Sequence, residues 1–121
     1  MHLRCKALPL AVTSLTIAMT LSIGQAVGAD GPSTERLKQG WTVFNRTCTV
    51  CHWPGVGGAP MIGDKNAWKE RIDRGRTILY RHAINGFTGS SGKLMPPRGG
   101  NWNLTDDQVR AAVDYIIHNS Q

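Results

Sequence analysis

The sequence predicts a small all-α domain built from about four short helices. Apolar residues recur at intervals of three and four in four separate stretches, which is the period of an amphipathic helix. No stretch alternates apolar and polar residues in the way a half-buried strand does. Runs rich in glycine and proline separate the periodic stretches, and 121 residues leave room for one domain.

The N-terminal segment has the pattern of a secretory signal. Arg4 and Lys6 form a basic start, the next 17 residues carry no charge, and small residues follow at a cleavage site. We therefore predict a removed signal peptide over residues 1–29, a mature domain over residues 30–121 and export to the periplasm. The uncharged run is shorter than the roughly 20 residues that span a bilayer, and retention as a membrane anchor is the alternative.

The first helix is predicted over residues 33–46, and Ser33 or Thr34 supplies a capping hydroxyl. Its apolar face consists of Leu37, Gly40, Trp41 and Phe44. The following residues 54–63 contain four glycines and two prolines, so we predict a loop there.

Two shorter helices are predicted next. Asp64 caps the first of them and Gly75 ends it, while the second covers residues 76–85 and stops at Gly86. Residues 87–103 then form a long loop rich in glycine, proline and serine. Such a loop is uncommon in a compact domain unless it has a function.

The last helix gives the clearest signal. Thr105 and Gln108 have the spacing of a capping box, and two aspartates between them favour the positive end of the helix dipole. The apolar stripe of this helix consists of Val109, Ala112, Val113, Ile116 and Ile117, with Tyr115 beside it.

Cys48 and Cys51 are the two cysteines that remain once the signal is removed. Two residues separate them and His52 follows at once, which is the pattern of c-type haem attachment. This spacing lets both thiols reach neighbouring vinyl groups of one porphyrin and places an imidazole under the iron. A thioredoxin-like pair would need a βαβ setting, and a zinc site would need two further ligands. We predict one covalently bound haem c, with thioether bonds to both cysteines and His52 on the iron.

The second axial ligand of the iron must come from further along the chain. Met95 precedes two prolines in a glycine-rich loop, where core packing explains a methionine poorly. Met61 is expected to pack beside the haem, and His82 to be an ordinary helical histidine. His118 lies in the last turn of the last helix, where the helix dipole favours a positive charge. The predicted iron ligands are therefore His52 and Met95.

With these motifs the mature chain resembles the class I c-type cytochromes, and the monohaem cytochrome c5 family in particular. The likeness covers about residues 40–115. The segments that carry it are CTVCH (48–52), GAP (58–60), GDK (63–65), AW (67–68), HAINGF (82–87), MPPRGG (95–100) and AAVDY (111–115). The resemblance implies the class I cytochrome c fold, in which about four short helices wrap round one covalently attached haem.

The resemblance also implies specific contacts. Gly40 and Phe44 match first-helix residues that meet an aromatic residue of the last helix, here Tyr115. Pro60 matches a proline whose carbonyl accepts a hydrogen bond from the proximal histidine, here His52. Such a bond fixes the tautomer of the imidazole and raises its basicity as a ligand.

Trp68 and Arg71 lie where the family places donors to a haem propionate, although Trp68 also suits a simple core aromatic. Members of the family often carry a second cysteine pair after the methionine loop. This chain has Asn101-Trp102-Asn103-Leu104 there instead. If Trp102 packs where that disulfide would lie, apolar contact braces the loop instead.

The resemblance implies an electron-transfer protein and not an enzyme, because an iron with two axial ligands has no open site. The expected partners are other redox proteins, such as a membrane cytochrome complex, an oxidase or a reductase of a respiratory chain. The mature chain has twelve basic and eight acidic residues, and a net charge of +4 steers encounter with an acidic face. We expect a monomer that docks transiently and binds no nucleic acid, with membrane contact only through a retained signal.

Two alternatives stay open at this point. The chain could be a cytochrome subunit held permanently in a periplasmic oxidoreductase complex, with the same haem chemistry. It could also be a haem sensor or peroxidase with an open iron site, which would require Met95 to be absent from the iron.

Overall fold

The computed structural model describes residues 31–90 and 92–121. Its helices are α1 (Thr34–Val43), α2 (Thr49–His52), α3 (Lys65–Asp73), α4 (Arg76–Asn85) and α5 (Asp106–Asn119). A π turn (Phe44–Cys48) joins α1 to α2, and 3₁₀ turns cover Val56–Gly58 and Pro97–Gly100. Two short antiparallel strands are β1 (Phe87–Thr88) and β2 (Leu94–Met95). The predicted signal peptide and its boundary at residue 30 lie outside the described residues.

The predicted small all-α fold is confirmed, with differences in two places. The first helix does not end near residue 46, because the π turn carries the helical backbone on to His52. The long loop was predicted without strands, and this is wrong for β1 and β2, which form a two-residue ladder. No helix in the described parts of the chain has the length and apolar character needed to cross a bilayer.

Local capping explains where the helices begin. The Ser33 hydroxyl accepts a hydrogen bond from the backbone N–H of Arg36 at 3.2 Å, and the Asp64 carboxylate accepts one from Ala67 at 3.0 Å. Thr105 and Gln108 make both bonds of the predicted capping box. Each of these side chains satisfies an N–H group that the first helical turn leaves without a partner.

The first and last helices cross in close contact at Gly40. A Cβ at this position would lie 2.1 Å from the carbonyl oxygen of Ala111 and 2.7 Å from the Cβ of Tyr115. One turn further on, the rings of Phe44 and Tyr115 pack with centroids 5.6 Å apart. This is the contact that the resemblance implied, and it requires a residue without a side chain where the two backbones meet.

The inner face of α5 forms one wall of the core. The predicted apolar stripe is buried, and Ala111 and Asp114 are buried with it. Val109, Val113 and Ile117 pack with Ala83 of α4. Ile116 packs with Phe44 and with Trp68 of α3. The sequence pattern therefore located this face correctly but underestimated how much of the helix is covered.

A buried carboxylate, Asp114, connects three helices. It is 4% exposed and accepts hydrogen bonds from Arg36 of α1 at 3.0 Å, and from Arg76 and Tyr80 of α4 at 2.6 and 2.5 Å. Burial, together with the bond to Asp114, raises the pKa of Tyr80, so the phenol stays a donor at neutral pH. Three donors compensate the loss of water around the carboxylate, which a single partner would do poorly.

Gly40→Ala is expected to lower the free energy of unfolding by about 3 kcal/mol, at the upper end for an overpacked core. The new methyl group would collide with a backbone oxygen, and only a shift of α1 against α5 could relieve the collision. Denaturant unfolding of the haem-containing protein measures this change. Gln39→Ala, at an exposed position one residue earlier on the same helix, is the control and should change stability by less than about 0.5 kcal/mol. Equal stability of the two variants would contradict the close crossing.

Candidate functional site

A cleft between α2, α4, α5 and the segment after β2 brings together the predicted haem residues Cys48, His52 and Met95. The side chains of its wall lie close together in this structure and leave only about 20 Å³ of space inside the cleft. The remaining residues of its wall are Val43, Ala83, Arg98, Gly99, Leu104, Val109, Ala112, Val113 and Ile116. Most of them are aliphatic, so the chemistry of the wall suits an apolar ring.

The helical backbone positions the attachment motif. Cys48, Cys51 and His52 stand at positions i, i+3 and i+4 of the helical segment, so their side chains share one face. Both thiols are free and half-buried. Burial first, and the neighbouring Cys51 second, raise the pKa of Cys48 to about 11. The thiol is therefore neutral at physiological pH.

The imidazole of His52 is held in one orientation. Its Nδ1 lies 2.8 Å from the carbonyl oxygen of Pro60, which only accepts hydrogen bonds, so Nδ1 carries the proton and Nε2 keeps a lone pair. The ring is 6% exposed, and burial lowers the pKa of His52, which favours the neutral form. A neutral imidazole with a free Nε2 is the form that binds iron.

Met95 lines the same cleft, although it is far from the attachment motif in sequence. It lies in β2, is half-buried, and packs against the core cluster of Ala83, Val109, Val113 and Ile117. The other candidate ligands are placed elsewhere. Met61 is 41% exposed, His118 is exposed, and His82 stacks on Phe87 outside the cleft wall.

Trp68 and Arg71, the predicted donors to a propionate, do not line the cleft. The indole N–H of Trp68 donates to the carbonyl of Met61 at 2.7 Å, and its ring is 6.0 Å from the ring of His52. Arg71 is exposed and donates to the carbonyl of Ala67. The geometry gives Trp68 the place of a core aromatic beside His52, and the propionate role of both residues stays a prediction.

The loop after Met95 is fastened by polar contacts. Trp102 does not pack in place of the missing disulfide, because it is 72% exposed. Arg98 instead donates to the carbonyl of Leu104 at 2.8 Å and to the carboxylate of Asp106 at 2.5 Å. Asn101 donates to the hydroxyl of Thr47 at 3.3 Å, which links the loop to the π turn before the attachment motif.

Sequence reasoning missed Arg98 as a residue of the site. It lines the cleft, and it has a positive φ of 54°, which residues other than glycine rarely adopt. The sequence signal was its place between two prolines and two glycines, where the chain must turn sharply. Hydrogen bonds to Leu104, just before α5, and to Asp106, the first residue of α5, hold Arg98 in this conformation.

Known proteins resemble the chain over the part that contains this site. Residues 35–116 match the family described as cytochrome c oxidase, cbb3-type, subunit III. A cytochrome c-555 from Chlorobaculum thiosulfatiphilum is 40% identical over 82 residues, 68% of this chain and 94% of the relative. A cytochrome c5 from Ectopseudomonas mendocina is 40% identical over 73 residues, 59% of this chain and 78% of the relative.

A solved structure shares the fold. It is the cytochrome c in the crystal structure of an electron transfer complex of nitrite reductase with cytochrome c. The two chains superpose with a TM-score of 0.61 at 35% sequence identity, over 69% of this chain and 95% of the other.

Proposed function

The chain belongs to the cytochrome c family, and from that membership we propose that it is a periplasmic carrier of single electrons whose haem iron is held by His52 and Met95. As a small c5-like cytochrome it has one covalent haem c as cofactor and takes part in electron transfer. The observation that supports iron ligation by His52 and Met95 is that both side chains line the same cleft.

The residues of the cleft fit a haem. Cys48, which lines the cleft, and Cys51, which shares its helical face but is not part of the cleft wall, would form the two thioether bonds, since both thiols are free. When bound, the haem iron supplies a one-electron couple between the ferric and ferrous states. The Pro60 carbonyl keeps the proton of His52 on Nδ1, and the aliphatic wall keeps water from the site.

A thioether ligand has consequences for the chemistry. As an iron ligand, the soft sulfur of Met95 would favour the ferrous state and raise the reduction potential relative to two histidine ligands. If both His52 and Met95 bind the iron, no ligand position would be left for a substrate. We therefore propose electron transfer without catalysis at the metal.

The charge of the mature chain supports transient docking. A net charge of +4 before the propionates are counted favours approach to an acidic surface, and contacts of this kind are small and short-lived. The structurally similar cytochrome c forms a complex with a nitrite reductase, which supports redox proteins as the partner class. We propose that this chain docks to such partners as a monomer in the periplasm.

A second candidate function is a permanent cytochrome subunit of an oxidoreductase. The name of the matching family, a subunit of an oxidase, favours it. The residue chemistry of the haem site would be the same in both cases.

The carrier is expected to be a monomer. Size-exclusion chromatography of native periplasmic extract, followed by haem absorbance, should place the protein at the volume of a single chain. Elution together with a larger oxidoreductase would favour the subunit instead.

Met95→Ala is expected to remove the Met–iron charge-transfer band in the near infrared of the ferric protein. The same variant should bind carbon monoxide at neutral pH in the ferrous state, because its iron has lost a ligand. Met61→Ala is the matched control and should keep the band, since Met61 lies outside the cleft wall. A wild-type protein without the band, or a band that survives in Met95→Ala, would show that the assignment is wrong.

Reduction of the protein by the membrane fraction of its source is expected to slow as salt concentration rises. Ions screen the attraction between a positive carrier and an acidic docking face over about 10 Å at 0.1 M. Stopped-flow absorbance of the haem measures the rate, with a small uncharged reductant as the control. Rates that do not depend on salt would refute electrostatic steering.

A further inference from the structure

The imidazole ring of His82 lies flat against the phenyl ring of Phe87. The ring centroids are 4.1 Å apart and the planes differ by 19°, which is a stacked arrangement. His82 is half-buried near the end of α4, and Phe87 begins β1. The stack therefore ties β1 to a ten-residue helix that is itself packed against α5.

The strand β1 is the pairing partner of the strand that carries Met95. Phe87 stands opposite Met95, and Thr88 stands opposite Leu94. A ladder of two residue pairs has little stability of its own, because even longer two-stranded hairpins are marginal in water. The place of Met95 therefore depends on side-chain contacts that fix β1 to the rest of the domain.

The backbone between the stack and the methionine is tightly packed. Gly86 has a φ of 85°, and a Cβ there would lie 3.1 Å from the carbonyl oxygen of Met95 and 3.0 Å from Cδ of Pro97. No side chain separates the two segments at this point. A displacement of Phe87 would thus be transmitted directly to the backbone of Met95.

The surroundings of His82 favour an uncharged ring. Burial, followed by the positive charges of Arg81 and Arg74, lowers the pKa of His82. A neutral imidazole stacks on a phenyl ring as a flat aromatic group does. Another aromatic residue at this position should therefore keep the stack, and alanine should remove it.

We propose that His82 is a positioning residue for Met95. Its stack on Phe87 holds the ladder between β1 and β2, and the ladder holds the thioether against the iron. The inference rests on the proposed ligation of iron by Met95. His82 is not part of the cleft wall, so it acts through Phe87 and not by contact with the cofactor.

Competition with imidazole tests this role in the folded, haem-containing ferric protein. Added imidazole displaces the methionine, and loss of the near-infrared band reports the displacement. In His82→Ala the apparent affinity for imidazole should rise about 2- to 10-fold, the effect of one aromatic pair. His82→Phe should restore the wild-type affinity, and His118→Ala, at an exposed histidine of α5, should leave it unchanged.

Phe87→Leu extends the test to the other side of the stack. It should raise the affinity for imidazole as His82→Ala does, and the double variant should show no further rise, because both changes remove one interaction. Equal affinities in wild type and His82→Ala, or a failure of His82→Phe to restore the affinity, would overturn the inference while Met95 remains the ligand. A wild-type protein without the band would overturn the proposed ligation, and this inference with it.

Discussion

The close crossing of α1 and α5 at Gly40 is the constraint on which the rest of the structure depends. The backbones meet there with no room for a methyl group. Because the π turn continues α1 into α2, the crossing also fixes the face of Cys48 and His52 relative to the aliphatic face of α5. One wall of the cleft and one proposed iron ligand, His52, are therefore placed by a single helix contact.

Hydrogen bonds of charged side chains hold the helices together where little apolar surface is buried. A domain of about 90 residues buries a smaller share of its surface than a larger one does, so its aliphatic contacts are limited. Asp114 accepts hydrogen bonds from side chains of α1 and α4. Arg98 donates hydrogen bonds that connect the loop after Met95 to the start of α5. These bonds are directional, and each holds a loop or helix in one orientation as well as adding stability.

The two proposed iron ligands are supported in different ways. His52 lies in a continuous helical segment and is oriented by a carbonyl eight residues further on. Met95 lies in a two-residue strand whose order comes from Gly86, Phe87 and the bonds of Arg98. The methionine side of the site is therefore the side that depends on tertiary packing.

The sequence by itself determined the features that depend on neighbours along the chain. These are the attachment motif at Cys48–His52, the caps at Ser33, Asp64 and Thr105, the apolar face of α5 and the stop at Gly86. Tertiary structure decided what depends on partners far apart in sequence. It extended α1 through a π turn, buried Asp114 among two arginines and a tyrosine, and stacked His82 on Phe87. It also left Trp102 exposed to solvent, a question that the sequence had left open. The reason is physical: caps and helical periods are set within about four residues, whereas burial and pairing are set by which distant surfaces meet.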